Sequence, residues 1–412
     1  MICGLLGKSI QGSFSPQIHK MLGNGDYRLF EFDPDAARAF LTEKSFDCIN
    51  VTMPYKLMAF NACDILDQTA VATGAVNTVI NKNGVLYGYN TDVLGFCEAL
   101  KHAGINVKDK NVFVLGTGGA AKSVGYALKT LGARSVCFVS RHKNDKAITY
   151  DELYSIADSA DVIVNATPVG SFCLDGSAVD ASRLNSTSTF FDLIYNPLRT
   201  RLMQSFKETG AKVSNGLYML VSQAANSHEL FFDTEIADDT VEHIYKSVLA
   251  SKTNILLIGM PGSGKTAVGR IIAKITDRDF FDTDDIFALK HGIDPGEYIT
   301  RFGETSFRKF EKDIVASVCK NSGAVIATGG GSVLDPDSRV CMRKNSAVFY
   351  LYRDKDSLQP LADRPLSDTK AKTYKLFCER DPIYREVCDE IITVGKADPD
   401  AIASNIIERI GL

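Results

Sequence analysis

A glycine-rich run in the second half of the sequence could hold phosphate groups. It has the form Gly259-x4-Gly264-Lys265-Thr266 and lies between an apolar strand pattern that begins at Asn254 and an amphipathic helix pattern. This spacing fits a P-loop, in which backbone N–H groups at a helix N-terminus face phosphate oxygens. Lys265 would reach the β and γ phosphates, and Thr266 would bind Mg²⁺. The run therefore predicts a nucleoside triphosphate site.

A second glycine-rich run, GTGGAA at 116–121, follows a strand pattern and precedes a helix pattern. Such a turn seats a pyrophosphate on the helix N-terminus, which indicates a dinucleotide site. The next strand pattern ends in Ser140-Arg141-His142-Lys143, where NAD-binding proteins usually carry an acidic residue. Arg141 and Lys143 favour the 2′-phosphate of NADP. The alternative is that they are solvated charges at a strand end.

Three polar clusters follow strand patterns in the first hundred residues. They are Ser13 to His19, Asn50 to Lys56, and Asn77 with Asn90 to Asp92. Each cluster alone fits helix caps or exposed side chains. Together, their hydroxyls, amides, single lysine and single carboxylate suit a small polyol carboxylate as ligand.

The elements that must position these residues are predicted to be α/β throughout. Strand patterns alternate with helix patterns, which is typical of parallel sheets with ligands beyond the carboxyl ends of the strands. The predicted details include a helix over 55–72, a helix over 151–160, a helix over 241–250 and a hairpin turning at Asn83-Gly84. We expect domains at 1–103, 104–248 and 254–412, with a last helix at about 217–240 packing back on the first, and only a short connection before Asn254.

Composition excludes several classes of protein. The chain has 412 residues, a net charge of −4, 45% hydrophobic residues and 23% charged residues, as in globular proteins of two or three domains. No basic block suggests a nucleic-acid partner, and no apolar run could span a membrane. Residues 1–8 lack the features of a signal peptide. The ten cysteines form no CxxC pair, so we expect reduced, mostly buried thiols in a cytoplasmic protein.

Residues 1–248 resemble shikimate dehydrogenase. The motifs that carry the resemblance are Ser13-x-Ser15-Pro16-x2-His19, Asn50-Val-Thr-x-Pro-x-Lys56, Gly74-Ala-Val-Asn77-Thr, Asn90-Thr-Asp92, the GTGGAA turn, Asn165-Ala-Thr, Asp192-Leu-Ile-Tyr-Asn-Pro197 and Gly216-Leu-x-Met-Leu-Val-x-Gln223. The resemblance implies an α/β substrate domain followed by a Rossmann domain. It assigns shikimate binding to Ser13, Ser15, Thr52, Lys56, Asn77, Asp92, Tyr195 and Gln223. It assigns NADP binding to Gly116, Gly118, Gly119, Ala120, Ser140, Arg141, Lys143, Asn165, Thr167 and Gly216.

The resemblance also makes Lys56 and Asp92 the catalytic pair, and the chemistry agrees. Hydride delivered to a ketone builds negative charge on the oxygen, which a lysine within hydrogen-bond reach can stabilise and protonate. A neighbouring carboxylate orients the lysine and helps to set its pKa. The adenosine-phosphate loop of the family usually reads Asn-Arg-Thr, and this chain keeps the arginine as Arg141.

Residues 254–412 resemble shikimate kinase, which implies a P-loop domain with a central parallel sheet. The motifs are the P-loop, Asp282-Thr-Asp284, Phe307-Arg308-x2-Glu311, Gly329 to Gly331, Arg364-Pro-Leu and Arg380-x-Pro-x-Tyr384. The resemblance assigns shikimate binding to Asp284, Arg308, Gly330 and Arg380. It assigns ATP binding to Gly262, Ser263, Gly264, Lys265 and Thr266, with Arg364 on a lid over the phosphates.

The residue types suit these roles. Two arginines can hold a substrate carboxylate. Asp282 and Asp284 are two residues apart in a predicted strand and would face the same side, with Asp282 near the magnesium shell and Asp284 orienting the attacking hydroxyl. Lys265, Asp284 and Arg364 are the predicted catalytic residues of this half, and Thr266 and Asp282 the predicted metal ligands.

The sequence thus predicts a bifunctional enzyme of the shikimate pathway. The first half would reduce 3-dehydroshikimate with NADPH, and the second would phosphorylate shikimate with ATP and Mg²⁺. One alternative is an NAD-using quinate/shikimate dehydrogenase fused to the kinase. The other is a ligand-sensing regulator built from these domains, which should have lost Lys56, Asp92, Lys265 or Asp284, and all four are present.

Overall fold

The chain forms two compact units. The computed structural model describes residues 1–143, 145–184, 187–359, 366–395 and 397–411. The first unit comprises Met1–Asn196 and Thr200–Val248, and the second comprises Pro197–Arg199 and Leu249–Leu412. Both are α/β, which confirms the predicted fold class. No helix within the described residues is long and apolar enough to cross a membrane.

The first sheet of the first unit has the strand order β2-β1-β3-β5-β6-β4. Its strands are β1 Cys3–Gly7, β2 Arg28–Glu31, β3 Cys48–Val51, β4 Ile65–Leu66, β5 Thr78–Lys82 and β6 Val85–Tyr89. The accompanying helices are α1 Ser15–Met21, α2 Pro34–Glu43, α3 Lys56–Ala62, α4 Gln68–Thr73 and α5 Asp92–His102. Strand β5 is antiparallel to both β3 and β6, so β5 begins and β6 ends at the edge where β1 and β3 end.

The predicted hairpin is confirmed, and the long helix predicted before it is wrong. The turn between β5 and β6 has φ of 54° at Asn83 and 86° at Gly84, the left-handed region that favours these residue types. Instead of one helix over 55–72, α3 ends at Ala62, the backbone becomes extended at Cys63, and β4 pairs with β6. Asp67 then accepts hydrogen bonds from N–H groups that open α4. A new N-cap therefore starts a second helix.

The second sheet of the first unit is parallel, with the order β12-β11-β10-β7-β8-β9. Its strands are β7 Asn111–Leu115, β8 Ser135–Ser140, β9 Ala147–Thr149, β10 Val162–Asn165, β11 Thr189–Asp192 and β12 Lys212–Ser214. The helices are α6 Gly119–Thr130, α7 Tyr150–Ser155, α8 Arg201–Glu208, α9 Leu217–Phe232 and α10 Asp238–Lys252. The strand order reverses between β7 and β10, which is where ligands bind in open sheets of this kind.

Two helices of the first unit differ in length from the prediction. Helix α7 stops at Ser155, and a short 3-10 turn over Ala157–Ser159 replaces the predicted second half. Helix α10 begins at Asp238, three residues before the predicted start. Helix α9, which packs against α5 and α1, begins at the predicted residue, Leu217, and ends at Phe232 rather than near residue 240.

The second unit contains one parallel sheet with the order β14-β15-β13-β16-β17. Its strands are β13 Asn254–Ile258, β14 Phe280–Asp282, β15 Val325–Ala327, β16 Ser346–Tyr352 and β17 Glu390–Thr393. The helices are α11 Lys265–Thr276, α12 Thr283–His291, α13 Pro295–Phe302, α14 Glu304–Val318, α15 Pro336–Lys344, α16 Lys370–Val387 and α17 Pro399–Arg409. Only Thr253 separates α10 from β13.

Strand β13 is central and buried on both faces. Leu256 and Ile258 contribute to one apolar cluster, and Ile255 and Leu257 contribute to another. This explains why the strand reads as a continuous apolar run rather than an alternating one. The buried strand gives the glycine-rich turn after it a fixed base.

The cysteines differ from the expectation of reduced, mostly buried thiols. Cys3 and Cys48 lie opposite each other in the pairing of β1 with β3, and the structure joins them in a disulfide. Of the eight free cysteines, Cys319 is buried, whereas Cys173 and Cys378 are exposed. The strand register brings the paired cysteines together, and sequence spacing alone did not indicate it.

Candidate active sites

A lysine and a carboxylate form an ion pair at one edge of the first sheet. Lys56 begins α3, shortly after β3, and Asp92 begins α5, shortly after β6. The Lys56 Nζ lies 2.5 Å from Asp92 Oδ2, and both side chains are largely shielded from solvent. The second Asp92 oxygen, Oδ1, accepts a hydrogen bond of 2.9 Å from Asn77 Nδ2. One oxygen of the Asp92 carboxylate therefore binds the lysine amine, and the other is bound by the Asn77 amide.

The Asn77 side chain is fixed by bonds to both of its polar atoms. Its Nδ2 also donates to Thr91 Oγ1 at 3.0 Å, and its Oδ1 accepts from the Thr91 N–H at 2.8 Å and from Thr78 Oγ1 at 3.0 Å. Asn77 is buried. Since nitrogen and oxygen each have their own partners, the amide has one favoured orientation. The network thus orients Asp92 before any ligand binds.

Helix α9 carries Gln223 to the same place. The Gln223 Oε1 lies 3.4 Å from Asn77 Nδ2 and 3.5 Å from Thr91 Oγ1. The approach of α9 to α5 depends on Gly95, because a Cβ at this position would lie 2.8 Å from Gln223 Cβ and 2.9 Å from Met219 O. Any larger residue would push the two helices apart.

The serine cluster follows β1, next to the end of β3. The Ser13 hydroxyl donates to Ser15 Oγ at 3.1 Å. Between them, the Phe14 ring contacts the Tyr195 ring with a centroid distance of 5.3 Å, so Tyr195 lies beside this segment. Thr52 follows β3 directly, and its N–H donates to Leu6 O at 2.9 Å. The structure thus brings these predicted residues to the edge that carries Lys56.

His19, in the same motif, belongs to the core. Its ring stacks on Tyr27 at 3.8 Å, and the Tyr27 hydroxyl donates to Asn50 Oδ1 at 2.8 Å. Burial, together with the neighbouring His228, lowers the pKa of His19 to about 3, and a hydrogen bond with Asn50 opposes this only partly. His19 therefore packs in the core, against the tyrosine that hydrogen-bonds Asn50.

The glycine turn after β7 is open on the side of the ion pair. Gly116 has φ of 106°, and a Cβ there would lie 3.1 Å from Ala166 O. A Cβ on Gly118 would meet no heavy atom within 4 Å, whereas one on Gly119 would lie 3.9 Å from Lys56 Cδ. The turn and the following Ala120 open α6. These features fit a pyrophosphate on the helix N-terminus, close to Lys56.

The basic residues after β8 are accessible. Arg141 and Lys143 are exposed, and Ser140 donates its hydroxyl to the His142 carbonyl. Lys143 forms an ion pair with Glu152, a residue of the α7 capping box. Arg141 therefore presents the more available cation for a 2′-phosphate, while Lys143 is shared with a carboxylate.

The predicted cofactor residues after β10 and before α9 shape the backbone. Asn165 is fully buried, donates to Asp192 Oδ1 at 3.0 Å and accepts from the Thr167 hydroxyl at 2.7 Å. Burial raises the pKa of Asp192 to about 7, although bonds from Thr200, the Ile194 N–H and Asn165 oppose the rise.

Gly216 stands directly before α9. A Cβ on Gly216 would lie 2.1 Å from Leu193 O. The segment after β11 and the start of α9 can therefore approach each other only when residue 216 is glycine.

The P-loop joins β13 to α11 in the second unit. Gly259, Gly262 and Gly264 have φ of 147°, 76° and 93°, which favour glycine. Lys265 is only 8% exposed, and its Nζ donates to Gly259 O at 2.9 Å and to Met260 O at 3.0 Å. Ser263 is fully buried, so its backbone rather than its side chain is suited to phosphate.

A cavity of about 290 Å³ lies beside this loop. Its lining includes Gly262, Gly264, Lys265, Thr266, Asp282 and Asp284. Four of the predicted phosphate-binding residues thus line the same cavity as the two aspartates, whereas Ser263 does not line it.

The two aspartates do not both lie on a strand, which corrects the prediction. Asp282 ends β14 and caps α12, because its Oδ1 accepts the Asp284 N–H at 2.9 Å. Asp284 lies in the first helical turn. Asp282 Oδ2 accepts from the Thr266 hydroxyl at 2.7 Å, and burial raises the pKa of Asp282. A short polar residue at a strand end can also cap the helix that follows, and Asp282 does so here.

The Thr266–Asp282 pair fits a magnesium ion. Within the described residues, no group of three or more His, Cys, Asp or Glu side chains could enclose a metal. Mg²⁺ does not need such a cage, since it usually keeps several waters and takes one or two protein oxygens besides phosphates. Thr266 and Asp282 would hold the ion, which would neutralise phosphate charge.

A smaller cavity, of about 50 Å³, adjoins the glycine triplet after β15. Asp284, Arg308, Glu311, Gly330 and Arg380 are among its lining residues. The glycines let the backbone approach the charged groups of the cavity closely: a Cβ on Gly329 would lie 2.6 Å from Glu311 Oε1, and one on Gly331 would lie 2.2 Å from Arg308 Nη2.

The two arginines of this cavity have different surroundings. Arg308 donates to Glu304 and Glu311, and although burial lowers the pKa of its guanidinium, the two carboxylates outweigh this and raise it. Arg380 is 3% exposed, and within the described residues its Nε has no hydrogen-bond partner. The neighbouring Tyr384 hydroxyl donates to Gly330 O. Arg364, the predicted lid residue, lies outside the described residues.

Comparisons with known proteins give matches in both units. The shikimate dehydrogenase substrate binding domain family matches residues 5–79, and the shikimate kinase family matches residues 261–411. Shikimate dehydrogenase (NADP(+)) from Clostridium perfringens is 34% identical over 266 residues, which cover 60% of this chain and 97% of the relative. The chain belongs to the shikimate dehydrogenase family. The kinase match follows in the same polypeptide, so the chain is a fusion of the two.

Solved structures agree with the dehydrogenase assignment. A chorismate mutase/shikimate 5-dehydrogenase fusion protein from Clostridium acetobutylicum is 35% identical, with a TM-score of 0.56, and the match covers 60% of this chain and 96% of the other. Shikimate 5-dehydrogenase from Thermus thermophilus, in complex with NADP(H) and shikimate, is 32% identical with a TM-score of 0.55, over 60% of this chain and 99% of the other.

The sequence alone did not indicate the contacts of three residues that shape the dehydrogenase and kinase sites. Thr91 and Gly95 sit beside predicted residues, but only the fold shows that one hydrogen-bonds Asn77 and the other admits α9. In the kinase domain, Glu304 was not singled out, although it pairs with Arg308. Its spacing of four residues from Arg308 on a helix was the available signal.

Proposed function

We propose that the first unit reduces 3-dehydroshikimate to shikimate with NADPH, and that the second phosphorylates shikimate with Mg²⁺ and ATP to shikimate 3-phosphate. The observation that carries the first activity is the Lys56–Asp92–Asn77 chain next to the open Gly119 turn. The second rests on the cavity with Asp284, Arg308 and Arg380 adjoining the P-loop. The hydroxyl made in the first reaction is the acceptor in the second.

In the reduction, Lys56 hydrogen-bonds the ketone oxygen and gives it a proton as negative charge develops. Bound NADPH supplies the hydride. Asp92 keeps the lysine amine in position, and Asn77 keeps the carboxylate in position through its bond to Oδ1. The serine and threonine hydroxyls, Gln223 and Tyr195 bind the hydroxyls and carboxylate of the substrate.

In the phosphorylation, Lys265 meets the β and γ phosphates, and Thr266 and Asp282 hold Mg²⁺. Asp284 orients the acceptor hydroxyl, because it lines the cavity that would hold the transferring phosphate. Arg308 and Arg380 bind the substrate carboxylate. Arg364 is proposed to stabilise charge on the transferring phosphoryl group.

The cofactor is proposed to be NADP rather than NAD. Arg141 is exposed after β8, and the segment Ser140 to Lys143 contains no acidic residue to bind the ribose hydroxyls. An NAD-using quinate/shikimate dehydrogenase is the alternative. Steady-state rates with each cofactor, and with shikimate and quinate in the oxidation direction, decide between them. A preference for NAD and quinate would overturn the cofactor assignment.

The domain limits follow the same proposal. Residues 1–103 would form the substrate-binding domain, with the helix near 217–240 added, 104–248 the NADP domain and 254–412 the kinase domain. A ligand-sensing regulator is disfavoured because Lys56, Asp92, Lys265 and Asp284 are all present, and the first two form an ion pair.

A coupled assay tests the proposed function. The purified chain is given 3-dehydroshikimate, NADPH and ATP with Mg²⁺, NADPH oxidation is followed by absorbance, and products are identified by mass spectrometry. Shikimate is the expected product without ATP, and shikimate 3-phosphate with it. Oxidation of NADPH without phosphorylation in the presence of ATP would reject the kinase assignment, and the absence of both products would reject the function.

A further inference from the structure

Three nitrogen atoms of Arg308 are bonded to carboxylates of the protein itself. Nε and Nη2 donate to Glu304 Oε1 at 3.1 and 2.6 Å, and Nη1 donates to Glu311 Oε2 at 2.6 Å. The guanidinium that is proposed to receive the substrate carboxylate therefore already has two anionic partners. Glu304 takes the Nε–Nη2 side of the guanidinium, so a ligand carboxylate can pair side by side there only if Glu304 moves.

The two partners are not held equally. The Glu311 side chain is 6% exposed, and its Oε1 accepts a hydrogen bond of 2.7 Å from the buried Ser332 hydroxyl. It also lines the smaller cavity. The Glu304 side chain is 40% exposed and belongs to the first residue of α14. Moving Glu304 into water costs little, whereas moving Glu311 would break a buried bond.

Arg380, across the same cavity, shows the opposite condition. It is almost fully buried, and within the described residues its Nε lacks a hydrogen-bond partner. A buried, unpaired donor is expensive and is typical of a group that completes its bonding with a ligand. Arg380 thus has a donor without a partner in the described part of the chain, whereas Arg308 is paired with a carboxylate that can be exchanged.

We propose that Glu304 is a built-in competitor of the substrate: in the ligand-free chain it occupies the Nε–Nη2 side of Arg308, and the carboxylate of shikimate displaces it while Glu311 stays. This rests on the proposed kinase function. The exchange replaces one pair of charge-assisted hydrogen bonds by another. The site therefore binds shikimate more weakly than it would if Glu304 did not occupy the guanidinium. It also selects against neutral ligands, which cannot replace the bonds that Glu304 gives up.

The test is Glu304→Gln, which keeps the shape of the side chain and removes its charge. The Kd of shikimate, measured by calorimetry, and its KM in the kinase assay should both fall about two- to five-fold, the range of an ion pair at such exposure. The kcat should stay within about two-fold, because the exchange concerns binding and not phosphoryl transfer.

A matched control lies on the preceding helix. Glu297 is 39% exposed and forms an i,i+4 ion pair with Arg301, as Glu304 does with Arg308. Glu297→Gln should leave Kd and KM at the wild-type values. The methyl ester of shikimate provides a second control, since it lacks the anionic carboxylate and should gain nothing from Glu304→Gln.

The outcomes separate this inference from the proposed function. An unchanged or higher Kd in Glu304→Gln, or an equal gain for the methyl ester, overturns the inference alone. A wild-type chain that neither binds nor phosphorylates shikimate overturns the proposed function as well. If Glu304→Gln fails to fold, Glu304→Asp, which shortens the reach of the carboxylate, must lower the Kd of shikimate relative to the wild type for the inference to stand.

Discussion

The two candidate sites hold their charged residues in opposite ways. In the first unit, the Lys56–Asp92 pair is enclosed by neutral amides and hydroxyls, and Asn77 links it to the Thr91 backbone. In the second unit, Arg308 is paired with an exposed glutamate, and Arg380 is buried with an unpaired Nε. The first network is complete before ligand binds, and the second contains contacts that we propose a ligand replaces or completes.

This difference matches the two kinds of chemistry. Proton and hydride transfer to a ketone require one lysine at a defined distance, so a preorganised network lowers the cost of reaching the transition state. Phosphoryl transfer requires that water be excluded and that the negative charge of the bound ligands be neutralised by cationic groups of the site. A site built for that purpose carries groups whose partners arrive with the substrates.

The largest expected effect is on the preorganised site. Lys56→Ala should lower the rate of 3-dehydroshikimate reduction about 10²- to 10⁴-fold, because both the charge stabiliser and the proton donor are lost. The kinase rate of the same sample is the internal control and should not change. Loss of both activities in a folded protein would contradict the separation of the two sites.

Lys265→Ala should give the reverse pattern. We expect a fall of about 10²- to 10³-fold in shikimate phosphorylation, since one buried phosphate-binding cation is removed. Reduction of 3-dehydroshikimate should continue at the wild-type rate. Both activities should be measured in both alanine variants. A variant that loses both activities while remaining folded would argue for a single coupled centre.

The next effect concerns pH and stability in the first unit. Burial raises the pKa of Asp192 from 3.8 to about 7, so the folded state binds more protons than the unfolded state between these values. Stability should therefore fall as pH rises from about 4 to 7, by roughly 2 to 4 kcal/mol from this group. Asp192→Asn should flatten the slope. Calorimetric unfolding of the wild type and the variant between pH 4 and 7 measures this slope. The transition of the first unit is identified by its shift when NADP is added. Equal slopes in the two proteins would refute the raised pKa of Asp192.

A smaller loss is expected from Asn77→Ala. The substitution leaves the buried Thr91 N–H and Asp92 Oδ1 without a partner, so unfolding free energy should drop by about 1 to 3 kcal/mol and reduction should slow. Thermal unfolding and initial rates test both parts. A variant of unchanged stability would show that the network is not complete in the absence of ligand.

Arg380→Met completes the contrast with the smallest stability effect. Among the described residues, Arg380 has a buried, unpaired Nε, which costs stability, and a hydrogen bond with Tyr384, which adds stability. Since an apolar replacement removes both, it should change the unfolding free energy by less than about 1 kcal/mol. The Kd of shikimate should nevertheless rise. A large loss of stability with unchanged shikimate affinity would mean that Arg380 is a structural residue of the core.

Much of the organisation was predictable from local patterns. The P-loop spacing, the hairpin at Asn83-Gly84 and the apolar run of β13 depend on neighbouring residues only, and backbone geometry makes their outcome nearly unique. The predicted helix over 55–72 failed because Asp67 could cap a new helix and Ile65 could pair with β6, a choice that depends on a distant strand.

By itself, the sequence determined which chemical groups are present and that strands and helices alternate, since these follow from residue type and periodicity. Only the tertiary structure decided which partners those groups have. Asp92 meets Asn77 because β5 and β6 run antiparallel, and Gln223 reaches Asn77 and Thr91 because Gly95 lets two helices touch. The pairs of Arg308 with Glu304 and Glu311 follow from the spacing of these residues on α14, but what packs around that helix decides that the Glu311 side chain is enclosed and the Glu304 side chain is not.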